Sequence, residues 1–226
     1  MHVGVATRGA WLSAGVLAAA AAAWVVLLAR ESAMDDQMAM GAELERAGMW
    51  LLAWATMMAA MMLPSTTPLV ALYGKRSGHA AEGTLLVAGY LTVWTVVGAA
   101  AYGLDRIVPD PGTGATAAVL IVAGLYQLTP AQDACLRHCR SPVDFLLTHW
   151  HGGKMGAFRI GAEHGAYCVG CCWALMAVLI IAGSMGLVWV VAIALTVAAE
   201  KLLPTGAALG RLGGIGLLAA GVVVAV

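Results

Sequence analysis

Residues 165–199 run for 35 positions without a charged side chain, interrupted only by Gly-Ser-Met-Gly at 183–186. A water-soluble domain has no place for such a run. In a bilayer it fits a tight hairpin of two apolar helices, because a helix satisfies its own backbone donors and acceptors where water is absent. The rest of the chain agrees, with 62% hydrophobic residues, 11% charged residues and a mean hydropathy of +0.87. That composition belongs to helical membrane proteins. The formal net charge is zero, which gives no footing for nucleic acid or any other charged partner.

The other apolar runs extend the pattern. Residues 11–29 are uncharged and cover about 28 Å as a helix, enough to cross a bilayer. A signal peptide is the competing reading, but its apolar core would be unusually long and no A-x-A site follows that core before Arg30 and Glu31. Further helices are expected at 49–73, 84–104, 112–129, 165–183, 185–203 and 206–226. The expected fold is therefore an all-α polytopic bundle, one transmembrane domain over 1–226 with about seven spans (six to seven). Pro64 and Pro68 should kink or break the second helix, with Ser65, Thr66 and Thr67 at hand for the freed carbonyls. Glu200 and Lys201 read as an ion pair at the membrane boundary. Arg211 has to snorkel or pair. Gly206, Gly210 and Gly214 form a small-residue face suited to helix packing, including against partner subunits or a second copy. With the N-terminus inside, nine Lys and Arg residues fall on the inner side and three on the outer, an orientation that follows the positive-inside rule.

Sulfur and imidazole are concentrated in one place. All five cysteines and four of six histidines lie within 135–172. The segment 130–172 as a whole is expected to form short amphipathic helices at the interface, between the fourth and fifth spans. Cys135, His138 and Cys139 are spaced i, i+3, i+4, one helical face. His164, Cys168, Cys171 and Cys172 continue that logic. Clustered cysteines of this kind do not resemble a spaced disulfide framework. Thiolate with imidazole suits copper(I), zinc or an iron–sulfur cluster. The plainer reading is that cysteine is a small buried apolar residue, strongest for Cys172 beside Trp173.

Other groups have the same two readings. Met57, Met58, Met61 and Met62 offer thioethers that bind copper(I) without deprotonation, yet methionine also fills irregular cores. Met34, Met38 and Met40 could gather the same metal. His149 and His151 flank Trp150 and serve either a metal or a solvated interface. Glu163 is placed to orient the His164 ring. No C-x-x-C-H haem motif is present.

The chain resembles a bacterial family described as predicted metal-binding integral membrane proteins. The resemblance rests on W-A-T-M-M-A-A-M-M-L-P-S (54–65), Y-Q-L-T-P (126–130), C-L-R-H-C-R-S-P (135–142), the long block 149–176 and E-K-L-L-P-T-G (200–206). It covers roughly residue 49 to the C-terminus. What it implies is a multi-pass protein of the bacterial inner membrane with Cys135, Cys139, His164, Cys168, Cys171 and Cys172 as metal ligands.

Three functions remain open on the sequence. The leading one is binding of a soft metal, copper(I) ahead of zinc, for uptake, translocation or delivery. The second is an accessory or structural subunit of a larger membrane metalloenzyme. The third is a membrane thiol oxidoreductase, which needs a reactive thiolate. No serine–histidine–acid set, phosphate loop or paired carboxylates stand out, so an enzyme is not expected.

Overall fold

The computed structural model describes residues 3–30, 43–77, 79–107, 112–181 and 187–226. These form nine α-helices, and no strand occurs among the described residues. In chain order they are α1 (Val3–Arg30), α2 (Glu43–Ser77), α3 (Ala80–Ile107), α4 (Gly112–Gln127), α5 (Pro130–Arg140), α6 (Pro142–Thr148), α7 (Gly153–Ile181), α8 (Leu187–Leu202) and α9 (Gly206–Ala225). Met34, Met38, Met40 and the turn at 183–186 lie outside the described residues.

Five helices are long and apolar enough to cross a membrane: Gly9–Ala29 of α1, Glu45–Ser77 of α2, and all of α3, α7 and α9. The bent pair α4–α5, turned by 65°, would make six. Helix α8 accounts for the difference from the higher count expected. It has 16 residues, about 24 Å at 1.5 Å per residue, against a hydrocarbon core of about 30 Å. Large apolar side chains such as Trp11, Val188, Leu195 and Leu212 face outward. Exposed apolar surface on this scale suits lipid better than water.

Two expectations change in detail. First, Pro64 and Pro68 do not break α2, which continues through them as one 35-residue helix. The prolines deprive the carbonyls of Ala60 and Pro64 of their usual donors. Yet Ser65 donates to the Met62 carbonyl, and Thr66 and Thr67 to that of Leu63, at 2.8, 2.9 and 3.1 Å. The hydroxyls therefore brace the turn around Pro64 and do not replace the missing donors. Second, α7 begins at Gly153 and not near 165. Gly153 has a φ of +77°, a left-handed conformation that glycine adopts without strain. Arg159 and Glu163 then pair at 2.8 Å one turn apart, which supports a helix through the charged stretch. Cys168, Cys171 and Cys172 consequently ride in a helix of spanning length, and within 130–172 the short helices are α5 and α6.

The chain forms two compact units, to both of which α3 and α7 contribute. In the unit made of Met1–Ala99 and Ser141–Ala166, α1 lies along α2, with Leu12 over Gly74. The indole of Trp54 donates to the Trp94 carbonyl at 2.9 Å, joining α2 to α3. Gly89 faces the Phe158 carbonyl and Gly161 that of Leu86, and neither position has room for a Cβ. Such contacts let helix backbones approach closely.

In the unit made of Ala100–Arg140 and Tyr167–Val226, α4 packs along α9. Gly214 sits on Gly124 and Gln127, and Gly221 on Ala117 and Ile121. Gly206 is covered by Arg140 and the Glu200 carbonyl, and Gly210 by the Glu200 carboxyl. Gly206, Gly210 and Gly214 thus serve as a packing face within the chain. Arg211 pairs with Asp133 at 2.9 Å, which meets the need read from the sequence.

Candidate metal centre

Helices α5 and α7 carry matching faces. Cys135, His138 and Cys139 on α5 have the spacing i, i+3, i+4, and so do Tyr167, Gly170 and Cys171 on α7. The two faces meet rung by rung. His138 stacks on Tyr167, with ring centroids 4.2 Å apart and planes 8° apart. Cys135 lies against Gly170, where a Cβ would come within 2.6 Å of its Sγ. Cys139 Sγ lies 3.8 Å from Cys171 Sγ. The Tyr126 hydroxyl donates to the Gly170 carbonyl at 2.5 Å, tying α4 to this stretch of α7.

Cys168, one turn before Cys171, completes a trio. The sulfurs of Cys139, Cys168 and Cys171 all lie within 4.8 Å of one another, and all three residues are buried. All five cysteines are free thiols. Metal–thiolate bonds of about 2.3 Å set sulfurs about 4 Å apart around one ion. The trio therefore has the spacing of a three-thiolate pocket, and soft thiolates of this kind select copper(I) among other soft metals.

Helix α8 adds a charge. Lys201 is 7% exposed and its Nζ donates to Cys168 Sγ at 2.9 Å. Glu200 is 1% exposed and accepts from Gln127 Nε2 at 3.0 Å. Both residues are buried within the protein. Two thiolates on copper(I) leave one net negative charge and three leave two. The ammonium offsets one of them, and buried charge is tolerated only when paired.

Arg140 sets the register of this arrangement. Its guanidinium donates to the carbonyls of Glu200 at 2.7 Å, Leu203 at 2.6 Å and Pro204 at 3.2 Å. The last carbonyls of a helix lack intrahelical donors, and a cation there also meets the negative end of the helix dipole. Arg140 follows Cys139 and Lys201 follows Glu200, so the clamp brings thiol and ammonium to Cys168 together.

A family model described as PpoB2, copper chaperone, matches residues 51–224. The chain belongs to this family of copper chaperones. Its metal is copper, and the match bears out the metal-binding side of the resemblance read from the sequence. Every candidate cysteine and histidine falls inside the matched residues, whereas α1 and Met34, Met38 and Met40 precede them. No match was found among curated proteins, and none among solved structures.

Among the described residues, the group with metal-ligand spacing is the trio, and the remaining candidates have other contacts. Cys172 Sγ donates to the Cys168 carbonyl at 2.8 Å, one turn back along its own helix. In the other unit, His164 lies beside Tyr90 and Phe145, and His149 stacks on Phe145 at 4.5 Å. His151 Nε2 is 3.7 Å from Glu163 Oε1. Glu163 serves Arg159 and His151 and not the His164 ring for which it was expected. Met57, Met58, Met61 and Met62 are 1%, 0%, 4% and 0% exposed, packed as core. Sequence reasoning missed Lys201 and Arg140 as parts of the centre. The available signal was a charged pair closing a 35-residue uncharged run.

Proposed function

We propose that the protein holds copper(I) on the thiolates of Cys139, Cys168 and Cys171, within a helical bundle of the bacterial inner membrane, and delivers it to an acceptor. One observation carries this reading: three buried thiols from two helices converge beside the Lys201 ammonium, in a chain of a copper chaperone family. Thiolates draw copper(I) from weaker ligands, and the ammonium lowers the cost of enclosing the negative complex. Delivery is favoured over translocation because the four methionines expected to line a path are closely packed. The nine-to-three distribution of Lys and Arg supports an N-terminus on the inner side.

The test is elemental analysis of anaerobically purified protein in detergent, wild type beside a variant with Cys139, Cys168 and Cys171 changed to serine. One copper per wild-type chain, lost in the variant, is the expected result. Metal-free wild type after exposure to copper(I) would leave the thiols as a redox pair or as packing.

A further inference from the structure

The trio is closed off. Cys139, Cys168 and Cys171 are 7%, 0% and 1% exposed, so an incoming copper donor has no direct access to their sulfurs. Cys135 is the one half-buried thiol of the five. It lies one turn before Cys139 on the same face of α5, and its sulfur rests on Gly170, the neighbour of Cys171. Building on the copper reading above, we propose that Cys135 is the entry thiol of the centre: it takes copper(I) from a thiolate donor and passes it along the α5–α7 seam to the buried trio.

The transfer is ligand exchange. The Cys135 thiol releases its proton, its Sγ–Cu bond forms, and one donor sulfur–copper bond breaks, that donor thiolate taking up a proton. Bonds from Cys139 and Cys171 then form, each with loss of a thiol proton, as the second donor thiolate leaves and is protonated. Last, Cys168 bonds to copper with loss of its proton, and Cys135 detaches and regains one; because the bound thiolates rise from two to three, one proton in all leaves to solvent. Copper stays in the +1 state throughout, so no oxidant or reductant enters. Gly170 keeps the seam open, since a Cβ there would lie 2.6 Å from Cys135 Sγ and 3.3 Å from Cys135 Cβ. The Tyr126 hydroxyl, bonded to the Gly170 carbonyl, fixes the backbone at that rung.

The experiment mixes anaerobic, metal-free full-length protein in detergent with a copper(I)–glutathione complex. Loading is followed by the ultraviolet absorption of copper–thiolate bonds, and final copper is measured by elemental analysis. Wild type should take up one equivalent. Cys135→Ser should reach the same final content at a rate lower by about tenfold or more, a factor equal to about 1.4 kcal/mol of barrier. Gly170→Ala keeps every thiol but pushes the Cys135 sulfur off the seam, and it should slow loading as well. Cys139→Ser should fail to retain the metal. Wild-type rates in Cys135→Ser would overturn the entry role, and so would loss of final copper, which would make Cys135 a resident ligand. If the wild type itself takes up no copper, the three-thiolate reading falls first, a failure distinguishable from that of the entry step.

Discussion

Lys201 Nζ stands 2.9 Å from Cys168 Sγ, an ammonium and a sulfur enclosed together where α8 meets α7. A buried charge is tolerated when it is paired. A copper(I) thiolate complex at Cys168 is negatively charged, so the ammonium beside it makes the complex less costly to enclose.

Lys201→Met should therefore leave the fold intact and weaken copper(I) binding. A hydrogen bond to a charged group contributes about 1.5–3 kcal/mol, which corresponds to roughly 10- to 150-fold in dissociation constant. Competition against a copper(I) chelator of known affinity measures the shift. Unchanged affinity in a folded variant would reduce Lys201 to a packing residue.

The adjacent cysteines of α7 should separate cleanly. Cys172 Sγ bonds the carbonyl of Cys168 four residues back, and a serine hydroxyl makes that same bond in helices. Cys172→Ser should keep one copper per chain and the thermal stabilisation that copper gives. Cys171→Ser removes a sulfur lying 3.8 Å from Cys139 Sγ and should abolish both. Metal that survives in Cys171→Ser and is lost in Cys172→Ser would move the centre by one residue.

Much of this arrangement was legible before any coordinates. The uncharged runs located the helices, the i, i+3, i+4 spacing put Cys135, His138 and Cys139 on one face, and all three do meet α7. The early start of α7 was hidden because Lys154, Arg159 and Glu163 read as an interface, although two of them form an ion pair along the helix. Lys201 was hidden by Glu200 beside it. Consecutive helical residues do not face each other, so adjacency in sequence says little about pairing, and the two side chains reach Cys168 and Gln127. The histidines show contacts that spacing alone does not reveal: His138, His149 and His164 all lie against aromatic rings.

Arg140 couples the stability of the bundle to the quality of the pocket. Arg140→Gln removes the charged donors from the Glu200, Leu203 and Pro204 carbonyls and should cost about 2 kcal/mol, the scale of a charge-assisted hydrogen bond. Because the same clamp aligns Cys139 with Cys168, copper should raise the melting temperature of the variant by less than it raises that of the wild type. Melting curves with and without copper(I) give both quantities. A lower melting temperature with an undiminished copper increment would make Arg140 a helix cap alone.

The methionines of α2 provide the test between delivery and translocation. A thioether path needs sulfurs that an ion can approach, yet Met57, Met58 and Met62 are at most 1% exposed and Met61 is 4% exposed. Exchange of methionine for leucine nearly conserves volume and costs less than about 1.5 kcal/mol in a packed core. The double variant Met61→Leu/Met62→Leu should therefore fold, bind one copper at wild-type affinity, and accumulate copper in vesicles at the wild-type rate. Leucine cannot ligate copper, so a path through these sulfurs would show as reduced accumulation with binding at the cysteines intact. That combination would return α2 to the copper route, and its absence leaves the thiols of α5 and α7 as the centre on which the protein acts.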